Sequence, residues 1–286
     1  MFIQMHSEKF MRFPEGRTKA LTFSYDDGTV SDKRLIEIFG RYALKGTFNL
    51  NSLLFSEECR DWHGRMDEDE TYETFADAPH EIALHGARHI FLDRVSLPEA
   101  VNEIVQNRVW LENKFNRIVR GMAYPYRAYG GEIREAVKFA GAVYARTTNS
   151  THSFALPGDW LELNPTCHHG DSRLFELADR FLSARPEREL KERDPMLFYV
   201  WGHSYEFDGN GNWDLIENFA KRMSGRKDIW YATNIQIYDY VRAYKSLVFS
   251  IDGERAFNPS ALPVWIEIRG RVYRIDGGKM VIFEKP

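Results

Sequence analysis

The sequence predicts an α/β barrel, a ring of seven or eight parallel strands each followed by a helix, with a small antiparallel β appendage at the C-terminus. Three observations carry this. Strand-like apolar runs alternate with helix-like periodic segments up to about residue 245. Clusters of polar residues fall directly after the strand candidates, which a parallel barrel would gather on one face. Beyond Ser246 the pattern changes to short alternating runs split by "RG" and "DGG" turn signals, as in "VWIEIRGRVYRIDGGKMVIF". The expected organisation is a barrel over residues 1–245 and an appendage over 246–286.

Along the chain, Ala20–Tyr25 is the first strand, and Ser31 is placed to cap a helix through "DKRLIEIFGRYA". "TFNLN" is the second strand. Residues 55–80 are acidic and read as a long loop with short helical pieces, and Glu81–Leu84 is the third strand. Ser96-Leu-Pro-Glu99 fits a capping box opening the helix "PEAVNEIVQNRVWLENKFN", with Val101, Ile104, Val105, Val109, Leu111 and Phe115 as its apolar stripe. "RIVRGMAY" is the fourth strand, "GEIREAVKFAG" a helix, "AVYART" the fifth strand, "DWLELNP" the sixth and "SRLFELADRFLSA" a helix. "MLFYVWGH" is continuously apolar, as a strand buried on both faces should be. The helix "WDLIENFAKRMSG", the strand "DIWYATN" and the helix "IQIYDYVRAYKS" complete the ring.

Bulk composition narrows the function. The 286 residues are 43% hydrophobic and 14% aromatic, enough for a large core, and carry a formal charge of -4. No basic block points to nucleic acid. No apolar run approaches the roughly 20 residues of a membrane span. The N-terminus lacks the apolar core of a secretory signal, and two cysteines, Cys59 and Cys167, make no disulfide framework. The expectation is a soluble, cytoplasmic protein with no nucleic-acid or membrane partner; the oligomeric state is not readable.

The polar clusters are the informative part. "TFSYDDG" ends the first strand on two adjacent carboxylates, Asp26 and Asp27, which would repel each other if both were ionised. A divalent cation taking one of them as a ligand removes that repulsion. His85 and His89 follow the third strand, and their spacing puts both rings on one face if the stretch turns helically. One carboxylate and two imidazoles make a common catalytic zinc set with a position left for water. The second carboxylate is then free to take a proton from that water. Gly28 lets the backbone turn without a side chain in the way. "YPYR" follows the fourth strand and His203 follows "MLFYVWG".

These residues, in this order, resemble the polysaccharide deacetylases, the NodB-homology carbohydrate esterases. "TFSYDDG" is similar to that family's first motif, T-F-D-D-G, lengthened by Ser24 and Tyr25; "HEIALHGARH" is similar to the second, and "AYPYRAYGG" to the third. The resemblance spans roughly residues 18–240 and implies a distorted (β/α) barrel. It implies Asp26 as general base, Asp27, His85 and His89 as ligands of Zn2+ or another divalent transition metal, Tyr126 as the residue whose N–H receives the oxyanion, and His203 as general acid. His80 and Glu81 match accompanying residues of structural role. Two departures stand out. The third-motif arginine that orients the base falls on Ala123, with Arg127 nearby as the substitute. The fourth motif, an aspartate partnering the acid histidine and a tryptophan lining the pocket, maps onto Asp159 and Trp160 in "PGDWLELNP". "TCHHGD" (Cys167, His168, His169, Asp171) has no counterpart in those motifs; following the sixth strand, it is placed to reach the site or is a polar loop.

The implied activity is metal-dependent hydrolysis of an N-acetyl or O-acetyl group on an acetylated sugar or small N-acyl substrate. Arg127, Asp159, Trp160, His168 and Tyr205 are the expected substrate contacts, with Trp160, Trp201 and Tyr205 as stacking surfaces. The alternatives are a hydrolase of a non-sugar amide or cyclic ureide, and a catalytically silent carbohydrate-binding barrel. The presence of both Asp26 and His203 speaks against the silent barrel, because a binder needs neither.

Overall fold

The computed structural model describes residues 9–55, 63–186 and 193–284. Eight parallel strands form the central sheet: β2 (Lys19–Asp26), β3 (Thr47–Leu50), β4 (Glu81–Leu84), β5 (Gly121–Ala123), β6 (Tyr144–Arg146), β7 (Cys167–His168), β8 (Met196–Gly202) and β9 (Ile229–Tyr231). Their order is β6-β5-β4-β3-β2-β8-β7, with β9 on β2 as well. β2 pairs with β8 along one edge; on the other it pairs with β9 over Lys19–Leu21 and with β3 over Ser24–Asp26. The ring closes through the segment before β7. Leu163 bonds to Ala145 O and receives Thr147 N–H, then Thr166 N–H reaches Tyr199 O on β8. The expected distorted barrel is the fold of the chain.

Residue pattern explains the strand faces. Along β2 every residue is buried, and the side chains alternate. Leu21, Phe23 and Tyr25 join the large cluster shared with the surrounding helices. The alternate residues Ala20, Thr22, Ser24 and Asp26 are small or polar, and they make a hydrogen-bonded lumen. Thr22 Oγ1 meets Asn234 Oδ1 at 2.9 Å, Asn234 Nδ2 donates to Tyr199 Oη at 2.7 Å, and Asn49 Nδ2 donates to Ser24 Oγ at 2.8 Å. Each of these enclosed side chains thus has a partner, which makes its burial affordable.

The outer helices are α1 (Ser31–Arg41), α2 (Glu68–Phe75), α3 (Leu97–Phe115), α4 (Gly131–Phe139), α5 (Leu174–Ser183), α6 (Tyr205–Asn210), α7 (Trp213–Met223) and α8 (Asn234–Lys245). The capping box at Ser96 and Glu99 forms as expected. Ser31 does not cap α1; Asp32 accepts the Thr29 N–H at 3.1 Å and organises that start instead. On α3, Val109 is exposed, while Glu103 and Asn107 are buried beside Ile104 and Leu111. The predicted sixth strand is also displaced. Asp159 Oδ1 accepts the Leu161 N–H at 2.9 Å and turns Trp160–Glu162 into a 3-10 turn, so the strand begins later, at Cys167.

The C-terminal appendage is present as two small antiparallel sheets, one containing β12 (Val264–Ile268) and β13 (Arg271–Ile275), the other β10 (Val248–Phe249), β11 (Arg255–Phe257) and β14 (Met280–Ile282). Its first sheet takes in β1 (Lys9–Arg12) from the other end of the chain, with Lys9 opposite Ile268. Arg12 and Glu267 form a buried ion pair at 2.8 Å across that seam. Among the described residues no helix is long and apolar enough to cross a membrane.

Candidate metal and catalytic site

The C-terminal ends of the strands gather the side chains picked out in the sequence. Asp26 closes β2 and Asp27 follows it with φ +84°, a left-handed backbone that swings its carboxylate toward the next loop. His85 follows β4, and His89 lies four residues on. The expected helical turn between them is absent. Gly86 (φ +74°) and His89 (φ +55°) fold the chain back as a loop, and the loop rather than helical spacing faces the rings together. His85 Nε2 and His89 Nε2 stand 3.1 Å apart, with Asp27 Oδ1 at 3.8 and 3.5 Å from them. Strained backbone at Asp27, His89 and Tyr126 (φ +51°) clusters at this one place.

Buried polar residues hold that loop. Asn107 of α3 accepts the His85 N–H at 3.0 Å and donates to Leu50 O at 3.0 Å. Asn51 donates to both His85 O and Gly86 O, at 2.7 and 2.8 Å. Glu103 takes the Arg88 N–H and side chain. Arg65 grips Asp27 twice, Nη1 to its carbonyl at 2.7 Å and Nη2 to Oδ1 at 2.9 Å. None of these was singled out in the sequence. The readable signal was Glu103 and Asn107, four apart on the apolar face of α3, where a helix does not bury polar groups without a reason.

The site suits a divalent cation. Asp27, His85 and His89 are all buried, and their donor atoms lie within 4.8 Å of one another. His85 Nδ1 is 2.9 Å from Ala123 O, so its proton is committed there and its Nε2 lone pair faces His89. Two imidazole nitrogens this close need a proton or a cation between them. Burial pushes both imidazoles toward the neutral, ligating form, His89 down to about 3. On Asp27 burial works upward, but His85, Arg65 and His89 outweigh it and keep the carboxylate ionised.

Asp26 stands beside this set without joining it. Its Oδ1 accepts from Asn49 at 2.8 Å and its Oδ2 pairs with Arg146, the fully buried last residue of β6. Burial alone would raise Asp26; Arg146, with His85 and His203 behind it, holds it at about 2. The guanidinium beside Asp26 is therefore that of Arg146. Arg127, the expected substitute, is exposed and bonded to Thr148 Oγ1.

His203 is brought in as expected, with Nε2 3.9 Å from both Asp26 Oδ2 and Asp27 Oδ2. Its partner is not Asp159. That carboxylate pairs with Arg134 and caps the 3-10 turn, and Trp160 packs edge-on against Tyr238 of α8. The partner is Glu206, whose Oε1 is 3.0 Å from His203 Nδ1. Burial lowers His203, but the bond to Glu206 and the charges of Asp26 and Asp27 outweigh it, so its pKa is raised.

At the rim, Tyr126 stacks on Phe91 at 4.0 Å and meets His89 edge-on at 4.3 Å. Tyr205 stacks on His63 at 4.2 Å and tilts over His203. Trp201 carries the Arg146 guanidinium on its face. His168 and His169 also reach the site through Glu206, whereas Asp171 pairs with His152 at 2.6 Å and Cys167 is enclosed, its thiol pushed up to about 12 by burial. Cys59 lies outside the described residues.

Residues 13–145 match the family model described as Polysaccharide deacetylase. Over that stretch the chain is similar to the polysaccharide deacetylases. Among solved structures, a Mycobacterium smegmatis protein provisionally named a polysaccharide deacetylase superposes with a TM-score of 0.59 at 18% identity, covering 82% of this chain and 93% of that one. PuuE allantoinase superposes with the same TM-score, 0.59, at 11% identity, covering 79% and 91%. At these identities the likeness is one of fold. No curated protein matches the chain.

Proposed function

We propose that this protein is a metal-dependent hydrolase that removes an acetyl group from a carbohydrate. The observation that carries the reading is the convergence of Asp26, Asp27, His85, His89 and His203 at one barrel mouth, with the two carboxylates in different environments. Asp27, His85 and His89 would hold the cation, for which zinc is the first candidate. Once bound, it supplies a Lewis acid that polarises the acyl carbonyl and acidifies water.

The chain's own groups then divide the proton work. Asp26, kept ionised by Arg146, takes a proton from the attacking water. The tetrahedral oxyanion is received by the Tyr126 N–H. His203, its Nδ1 held by Glu206, gives a proton to the leaving nitrogen or oxygen as the bond to the acyl carbon breaks. The products are acetate and a free amine or alcohol. Tyr205, Tyr126 and Trp201 offer rim surfaces for a sugar ring.

The test pairs elemental analysis with acetate release from a panel of N- and O-acetylated sugars and cyclic amides. Activity on acetyl sugars that disappears on chelation and returns with zinc supports the proposal; turnover of cyclic amides alone sinks it. Asp27→Ala should lose both metal and activity, whereas His203→Ala should keep the metal and lose about 10²-fold or more in kcat. A fully active His203→Ala enzyme removes that residue's role.

A further inference from the structure

Glu206 receives three imidazoles on one carboxylate. His168 Nε2 lies 3.1 Å and His169 Nε2 2.9 Å from Oε2, while His203 Nδ1 lies 3.0 Å from Oε1. We propose that His168 and His169 form a clamp that fixes the Glu206 carboxylate and thereby the ring of His203, making all three positioning residues for the acid. This rests on the reading of His203 as the proton donor.

A second metal site is the competing use of two histidines and a glutamate. The hydrogen bonds decide against it. The Gly170 N–H donates to His168 Nδ1 at 3.1 Å, so the neutral ring carries its proton on Nε2, the atom that faces Glu206. His168 is therefore a donor to the carboxylate, with no lone pair on that nitrogen for an ion. Both separations to Oε2 lie within N–H···O hydrogen-bond range, that of His169 at the charge-assisted length.

The clamp is rigid on one side and open on the other. His169 is 3% exposed, stacked on Tyr25 and on Phe207, and seated against Gly202. A Cβ at Gly202 would fall 2.0 Å from His169 Nδ1, so the glycine that ends β8 makes room for this ring. His168 is half-buried at the edge of Trp201. With His169 locked by packing, Glu206 has a fixed post from which to hold the ring three residues before it. The bonds from His168, His169 and His203 also overcome the effect of burial and keep the carboxylate ionised.

Nuclear magnetic resonance of nitrogen-labelled histidine in zinc-loaded protein tests this without turnover. Wild type should show the His203 Nδ1–H as a hydrogen-bonded, downfield signal. Glu206→Gln should lose it, and His168→Gln, at a half-buried position, should shift it part of the way. Zinc binding should stay at one equivalent in all three. If acetate release is measurable, kcat should fall about tenfold in His168→Gln with KM unchanged, the size typical of an outer partner of a functional side chain. An unchanged His203 signal in both variants overturns the clamp. So does a second zinc equivalent in wild type that His168→Gln abolishes. Failure of wild type to release acetate would count against the function alone, because the imidazole signals report the clamp either way.

Discussion

Asp26, buried, and Glu81, partly buried, are carboxyl groups at opposite ends of the same barrel, and they are driven in opposite directions. Asp26 ends β2 among Arg146, His85 and His203, and is held down at about 2. Glu81 begins β4 at the far end, where Thr47 Oγ1 and Ile235 N donate at 2.9 Å and Tyr144 Oη at 2.7 Å, and burial pushes it up to about 7. Burial penalises both charges. The difference is that one end supplies a cation and the other supplies neutral donors, whose bonds lower Glu81 without cancelling its desolvation. The three residues of β6 serve both, Tyr144 at one end and Arg146 at the other. One mouth is therefore built to carry charge and the other to tie strands and helix α8 together.

The largest effect should come from removing the cation. Arg146→Met leaves Asp26 as a buried carboxylate without its guanidinium, a change that typically costs about 3–5 kcal/mol. Denaturant unfolding at pH 7 should show that loss, and the acidic limb of the activity profile should move to higher pH as Asp26 becomes harder to ionise. Arg127→Ala, at an exposed position, should leave the unfolding midpoint nearly unchanged. Equal effects from the two arginines would dissolve the contrast between the barrel ends.

This pair also shows what the sequence could and could not reveal. Asp26, Asp27, His85, His89 and His203 were legible because each follows an apolar run, and a parallel barrel collects such positions. Arg146 also ends an apolar run, "AVYAR", but a lone arginine there is indistinguishable from an ordinary strand terminus. Its partner is 120 residues away, and pairing at that distance comes from sheet order. Glu206 was nearer the surface of the text, three residues after His203 at the start of α6, the spacing at which a helical turn returns a side chain. The resemblance points instead to an aspartate in "PGDWLELNP", where Asp159 caps a 3-10 turn. Because the sixth strand of the ring begins at Cys167 and not in that stretch, His168 and His169 lead directly into the site.

The second test sharpens the comparison through pH. Glu81 has its carboxyl raised from an ordinary 4.5 to about 7 in the fold. Its protonated form is favoured by folding, so that contribution is complete below about pH 4.5 and is lost as pH rises to about 7. Asp26 has the opposite sign. Its contribution is complete above 3.8 and is lost as pH falls through about 2. Glu81→Gln keeps a neutral acceptor and should flatten the loss of stability between pH 4.5 and 7, leaving the strongly acidic limb in place. An unaltered slope over that interval would mean Glu81 is ionised in the fold, and the two ends would be alike.

The smallest effect is expected at Tyr144→Phe, and it locates the difference in a single hydroxyl. Tyr144 reaches Glu81 by passing beneath β5, where Gly121 leaves the space; a Cβ there would fall 2.1 Å from the hydroxyl. Phenylalanine keeps the ring in that slot and deletes one donor. A buried hydrogen bond of this kind is worth about 1 kcal/mol, and somewhat more when the acceptor is charged. The loss should therefore be smaller at pH 5, where Glu81 is protonated, than at pH 8, where it is ionised. Removing a donor also raises Glu81 further, so the decline of stability with pH should extend to higher pH than in wild type. Urea midpoints at the two pH values measure this directly. Equal losses would show that the Tyr144 hydroxyl does not discriminate between the two states of Glu81, and that the far end of the barrel is held by packing of the ring rather than by its bond to the carboxyl group.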